Sequence, residues 1–258
     1  MKQELLLATV VAGVVLSAGC VKQVSVVGSG TLATFESDVS GFSRIDASHS
    51  LDVNVVQSSG HSVELTCDDN MKEYLVVKKS GDTLVLGLKE GRSYTNTTLR
   101  ARVTMPECKG VELSGSSSAD LTGFISNRPL ELQLSGSSTV NLVGVECSDV
   151  EMNLSGSSDV GGHLVARDVV LDLSGSSRTN LAGSGEHLDA NCSGSSDVTL
   201  ENFAVQTADI NLSGASTAWL TVDQKLRVDL SGGSRVVYYG DAKLADVNLS
   251  GDSTIERG

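Results

Sequence analysis

The sequence predicts an all-β fold, a single-stranded parallel β-helix wound from coils of about 20 residues. Three observations predict it. Ser-Gly pairs begin at Ser114, Ser135, Ser155, Ser174, Ser193, Ser213, Ser231 and Ser250, in steps of 21, 20, 19, 19, 20, 18 and 19 residues. Apolar and polar residues alternate on both sides of each pair. Glycine and serine recur where an amphipathic helix would be broken, so a helical repeat fails.

With each of these serines numbered zero, position −1 reads Leu113, Leu134, Leu154, Leu173, Cys192, Leu212, Leu230 and Leu249. Position −3 reads Val111, Leu132, Met152, Leu171, Ala190, Ile210, Val228 and Val247. Between them, position −2 reads Glu112, Gln133, Asn153, Asp172, Asn191, Asn211, Asp229 and Asn248. Period-two alternation is a strand with one buried and one wet face. It resumes after the corner at +5 (Ala119, Val140, Val160, Thr179, Val198, Ala218, Val236, Ile255) and at +7 (Leu121, Leu142, Leu181, Leu200, Leu220, Tyr238). Each coil therefore has a leading strand, a Ser-Gly-Ser-Ser corner and a trailing strand. Glycine takes the positive φ such a corner needs, and serine hydroxyls can bond nearby backbone. Gly123, Gly144, Gly183 and Gly240 mark a second corner, followed by a looser third side.

Taken in chain order, residues 1–19 read as an export signal: one lysine, an apolar run from Leu5 to Leu16, then small residues. Twelve apolar residues fall short of the ~20 needed to span a bilayer. The Gly19-Cys20 ending resembles a bacterial lipobox, which implies cleavage before Cys20 and diacylation of its thiol, palmitate being one such chain. Val21, not Asp, follows; by resemblance to Gram-negative lipoproteins this implies sorting to the outer membrane. Residues 20–27 are then a lipidated N-terminus and linker. Residues 28–110 carry strand alternation without the clear Ser-Gly columns, and read as degenerate first coils that cap the N-terminal end. Terminal repeats of a solenoid must hide an unpaired edge, so they are expected to be atypical. Residues 111–258 are the regular array, continuous with the cap. The array ends at Ser253-Thr254-Ile255-Glu256-Arg257-Gly258, where charged residues blunt an edge or an open end stacks on a partner.

Two groups of residues, Gly28-Ser29-Gly30…Phe42-Ser43-Arg44-Ile45…Leu51-Asp52-Val53-Asn54-Val55 and the downstream Leu-Ser-Gly-Ser-Ser repeats, resemble the putative auto-transporter adhesin head, GIN domain family. The resemblance covers roughly residues 28–256. It implies a secreted or lipid-anchored bacterial protein, a right-handed parallel β-helix and a role in adhesion. It carries over no catalytic or ligand-binding residues.

Composition narrows the function. A net charge of −13 argues against nucleic acid, which rewards basic surfaces, and against direct docking on anionic head groups. Aromatics are only 3% of the chain, so the core is thin and aliphatic. Beyond Cys20, the register sets Cys108 and Cys147 two coils apart, ~10 Å, too far for a disulfide. Cys192 replaces a core leucine and reads as an inert thiol; Cys67 has no identifiable partner. No CxxC or His-x₃-His spacing occurs, so no structural zinc is expected.

The candidate binding face is the −2 column, Glu112, Gln133, Asn153, Asp172, Asn191, Asn211, Asp229 and Asn248, together with Trp219 on the outward row of a trailing strand. Acids there, backed by the −4 column, could hold Ca²⁺, form amide ladders, meet sugar hydroxyls, or simply keep the rod soluble. An exposed Trp219 would be a sugar-stacking or protein-contact anchor. No catalytic residues, metal or cofactor are assigned. Histidines at unrelated phases and eight copies of Ser-Gly without a matched base do not make a nucleophile. The expectation is a non-enzymatic, lipid-anchored envelope protein displaying a β-helix to a protein or glycan, with a self-assembling envelope protein and homo-oligomer as the alternative. A polysaccharide-active β-helix enzyme comes third, since fold analogy alone supplies no activity.

Overall fold

The computed structural model describes residues 25–258. Leading strands Gly110–Leu113, Leu130–Leu134, Asp149–Leu154, Asp168–Leu173 and His187–Cys192 stack in parallel. The stack continues through the second half of Asp197–Leu212, the second half of Thr217–Leu230, and Lys243–Leu249. Trailing strands from Ser118–Thr122 to Thr254–Arg257 form a second parallel stack. The registers are those of the repeat: Leu132 pairs with Met152, Met152 with Leu171, and Val140 with Val160. The fold is thus a parallel β-solenoid, as the spacing predicts.

The corner works by two devices. Its glycine column, Gly115 to Gly251, lies at φ between 70° and 81°. A Cβ added at Gly136 would stand 2.3 Å from the Gly115 carbonyl oxygen of the preceding coil. Stacking and backbone conformation therefore both demand glycine. The last serine of each corner points inward: Ser117, Ser138, Ser158, Ser177, Ser196, Ser216 and Ser234 are all buried. Each hydroxyl donates to the carbonyl three residues back, as Ser138 Oγ does to Ser135 O at 2.8 Å and Ser177 Oγ to Ser174 O at 2.9 Å. A buried hydroxyl is thereby satisfied inside its own turn, at no cost to the inter-coil ladder. The second corner is also real, with Gly123, Gly144, Gly183 and Gly240 at positive φ. Register shifts between Leu142 and Val145 and between Asn180 and Ala182 mark the bend into the short third side.

The −1, −3, +5 and +7 columns fill the axial core. The last coil departs from this. Val247 and Leu249 sit at core positions yet are 39% and 45% exposed, their strand being paired on one side only among the described residues.

The first coils do not stack in chain order. Strands Arg44–Ala47 and Asp52–Gln57 form one coil, which pairs on one side with Gly110–Leu113 and Ser118–Thr122. On its other side it pairs with Thr83–Leu88 and Leu99–Met105. The chain thus makes its second coil first, turns back to build the coil beyond it, then returns to begin the array. Antiparallel strands close the end: Leu75–Ser80 on Thr83–Leu88, Ser62–Asp68 on Leu99–Met105, and Leu32–Ser37 on Ser62–Asp68. Ser80-Gly81 is a hairpin turn, and Ser59-Gly60 joins two strands that flank Leu99–Met105.

The Gly28-Ser29-Gly30 stretch locks this cap. Asp68 is buried and accepts hydrogen bonds from the N–H groups of Gly30 (2.7 Å) and Thr98 (2.8 Å). These donors, Thr98 foremost, hold its carboxyl below the usual carboxylate range. A Cβ at Gly28 would lie 2.3 Å from Asn96 O. Ser29 N–H donates to Asn70 in the short 3-10 helix Asp69–Tyr74.

Candidate functional site

The −2 column faces solvent, since alternation sends it opposite to the core-bound −1 and −3 residues. Its side chains form one wall of an open channel of about 730 Å³ that runs along the leading face from Glu112 to Asp229. The other wall is the corner serines, Ser135, Ser155, Ser174, Ser193, Ser213 and Ser231, and the −1 backbone is the floor. Asn248 lies beyond the channel, on the last coil. None of the lining residues is lysine, arginine, histidine or aromatic.

Like charges stacked at strand spacing repel, and the face offsets this in three ways. Amides at −2 donate sideways to acids at −4: Asn153 to Glu151 at 2.9 Å, Asn191 to Asp189 at 3.2 Å, and Gln133 to Glu131. Asn211 donates to Asn191 of the previous coil at 3.0 Å, an amide-to-amide rung between coils. Arginines interrupt the acid column. Arg227 pairs with Asp209 at 2.9 Å and with Asp246 at 3.4 Å. Arg44 reaches across Gly110 to Glu131, a path a Cβ at Gly110 would block. Among the described residues, no group of three or more His, Cys, Asp or Glu side chains is placed to hold a metal ion.

Trp219 is not brought to this channel. It lies on the trailing face, around the corner, between Thr199 and Val237. It is half-buried where the sequence reading expects exposure, and its neighbour Val237, also on the outward row, is buried. Elsewhere that register holds the smaller Asp120, Asn141, Gly161, Asn180 and Thr199.

One extension of the channel escapes sequence reasoning. Glu112 also borders a hollow of about 530 Å³ lined by Asp46, Ser48, His49, Lys78 and Glu90. Asp46 continues the −2 column, since it pairs with Glu112. Burial pushes its carboxyl up, against the opposing charge of Lys78. The corner there is Ala47-Ser48-His49-Ser50, with His49 at φ 67° in the glycine column. The signal was present in the apolar-polar-apolar-Ser of Ile45-Asp46-Ala47-Ser48, but without its glycine the corner is not recognisable.

The four cysteines among the described residues are unpaired, and only Cys147 is not fully buried. Burial pushes the thiols of Cys108, Cys147 and Cys192 up to about 12, which keeps them protonated and inert. Cys20 and the export signal lie outside the described residues.

Coils, polar faces and a lengthwise channel define a parallel β-solenoid. The family model for the putative auto-transporter adhesin, head GIN domain, matches residues 41–242. The chain belongs to that family. A solved structure described as a putative adhesin from Parabacteroides merdae ATCC 43184 is 23% identical, with a TM-score of 0.85 over 91% of this chain and 99% of that one. A putative adhesin from Parabacteroides distasonis ATCC 8503 is 21% identical at a TM-score of 0.85, over 91% of this chain and 100% of that one. A protein from the same organism described as a putative lipid binding protein is 22% identical at 0.78, over 91% and 99%. At these identities the likeness shows the fold. No match is found among curated proteins. Two of these three structures are described as putative adhesins and none as an enzyme, and no helix among the described residues is long and apolar enough to cross a membrane.

Proposed function

We propose that this chain is a non-enzymatic adhesive rod of the bacterial envelope that binds an extended glycan along its leading channel. The observation that carries the reading is the channel itself. It presents amides, carboxylates and hydroxyls coil after coil, the groups that hydrogen-bond sugar hydroxyls. Successive rungs stand ~4.8 Å apart, so a linear polymer laid along the rod meets the same chemistry repeatedly. Its length favours many weak contacts over one deep pocket. A catalytic reading finds no acid–base pair here, since the channel's acids, Glu112, Asp172 and Asp229, stand three coils apart, ~14 Å, beyond the separation of paired catalytic carboxylates. Cys20, acylated with palmitate or a similar chain, would anchor the rod to the outer membrane, with two chains sufficing for stable attachment.

The test is a glycan array and whole-cell capture with the full chain in detergent, beside an Asn191→Ala/Asn211→Ala variant and Trp219→Ala. Capture lost in the amide variant and kept in Trp219→Ala supports the channel. Absence of glycan capture, or loss confined to Trp219→Ala, overturns it. In the producing cells, palmitate should label the protein and fail to label Cys20→Ser; equal labelling removes the anchor.

A further inference from the structure

Acids on the leading face follow a rule that couples two columns. Where position −2 is an amide, position −4 is an acid: Gln133 with Glu131, Asn153 with Glu151, Asn191 with Asp189, Asn211 with Asp209 and Asn248 with Asp246. Where −2 is an acid, −4 is not: Glu112 stands beside Gly110, Asp172 beside Val170 and Asp229 beside Arg227. The two kinds of acid differ in company. Those at −4 are held by the protein itself, Glu131 by Arg44 and Gln133, Glu151 by Asn153, Asp189 by Asn191, and Asp209 and Asp246 by Arg227. The three at −2 are exposed and have no such partner among the described residues. Even Arg227, two residues from Asp229, turns along its own column instead. Strand register puts the free acids in one file. Glu112 pairs with Gln133, Gln133 with Asn153 and Asn153 with Asp172. Asp172 pairs with Asn191, Asn191 with Asn211 and Asn211 with Asp229. A free carboxylate thus stands at every third rung, ~14 Å apart, with two amides between. Repulsion explains why these acids keep apart, not why the face leaves them without the partners that the −4 acids have.

We infer that the channel, on the reading that it is the glycan site, selects a glycan bearing free amino groups, a partly de-N-acetylated aminoglycan whose ammonium groups meet Glu112, Asp172 and Asp229. An ammonium donating to a carboxylate makes a charge-assisted hydrogen bond. The amide rungs between offer donors and acceptors to the hydroxyls and acetamides of the uncharged sugars. An anionic glycan meets the opposite, since the channel holds three carboxylates and no cation, in a chain of net charge −13. Single carboxylates at this spacing do not gather round one metal ion, whose oxygen ligands must all lie within about 2.5 Å of it. A lysine-rich peptide carries the same ammonium chemistry, but an extended peptide docks by adding a strand to a free sheet edge. The leading strands from Leu130–Leu134 to Thr217–Leu230 are paired on both sides, so the channel floor offers no edge. Beyond Glu112, Lys78 opposes the charge of Asp46, so the file of free acids begins at Glu112.

The test is titration calorimetry of the full chain in detergent with partly de-N-acetylated β-1,4-linked glucosamine oligomers long enough to span the channel. Fully N-acetylated oligomers of the same length and oligolysine run beside them. The amine-bearing oligomers should bind about tenfold more tightly than the acetylated ones, the increment of one charge-assisted hydrogen bond, and added salt should shrink the difference. Asp172→Asn, which keeps the shape, should weaken the amine-bearing oligomers about tenfold and leave the acetylated ones unchanged. Asp120→Asn makes the same change of charge on the trailing face and should alter neither. Equal binding of the two oligomers, equal losses in Asp172→Asn and Asp120→Asn, or tighter binding of oligolysine overturns the inference. If the amine preference fails while acetylated oligomers bind and are lost in Asn191→Ala/Asn211→Ala, the channel remains the glycan site; absence of binding by any glycan removes both.

Discussion

The two ends of this rod meet the same physical problem with opposite solutions. At the N-terminal end, three antiparallel strands, a short 3-10 helix and a buried carboxylate cover the first coil. At the C-terminal end, the last described coil keeps apolar residues at −3 and −1, puts Arg257 at the +7 position, and leaves Val247 and Leu249 exposed. The difference teaches that the repeat specifies a core only in company. A leucine at position −1 is 2% exposed at Leu173 and 45% exposed at Leu249, with the same Ser-Gly following it and the same apolar-polar alternation before it. Burial, not the motif, supplies the stabilisation.

The strongest way to break the contrast is to truncate one residue at each end. Leu65→Ala in the cap should cost about 3 kcal/mol of unfolding free energy by denaturant titration, as for a well-packed leucine. Leu249→Ala should cost under about 1 kcal/mol in dilute protein. Equal losses would show that the last coil is covered in solution.

A smaller effect is expected from Asp68→Asn, which keeps the shape and removes the charge that accepts from Gly30 and Thr98. The native carboxyl is held below its ordinary value, so its stabilising effect is complete above the unfolded carboxylate value of about 3.9. That effect is lost as pH falls through the lower native value. The parent protein should therefore lose stability on acidification, and the variant should lose less over the same window. Hydrogen exchange should show Leu32–Ser37 opening first in the variant while the array stays protected. Acid profiles that coincide would remove Asp68 from the account.

The smallest effect concerns the array alone. Thr179 Oγ1 is buried without a hydrogen-bond partner in an otherwise apolar column, between Val160 and Val198 of the neighbouring coils. Thr179→Val should gain up to about 1 kcal/mol, since it removes an unpaired polar atom at constant shape. A loss would mean that the hydroxyl finds a partner.

Much of the architecture is legible in the sequence because parallel stacking repeats each environment. The same position meets the same neighbour on every coil, so the −3 column can be read as core from its residues alone, and the Ser-Gly column as a corner. The order of the first coils is not legible. Alternation at Ile45, Val53 or Leu84 says which side is buried, but strand pairing is non-local and the pattern names no partner. The corner at Ser48-His49 hides for a related reason: His49 takes a left-handed conformation that sequence patterns assign to glycine or asparagine. For the candidate site, the outward direction of Asp172 or Asn211 follows from alternation. That these residues wall a channel with Ser174 and Ser213 follows from the corner's geometry, which spacing does not contain. The half-burial of Trp219 depends on what lies beside it at Val237, one coil away.

The out-of-order cap has a consequence for how the molecule can vary. Strands Arg44–Ala47 and Asp52–Gln57 are gripped between segments that follow them in the chain, so the cap is an indivisible unit that must be completed before it can template anything. The array has no such requirement: removing its last 19 or so residues leaves Lys225–Leu230 as an edge like the one lost. Rod length is therefore an adjustable quantity that duplication or loss of whole coils can tune, changing how far the far end stands from its origin while the starting template stays the same.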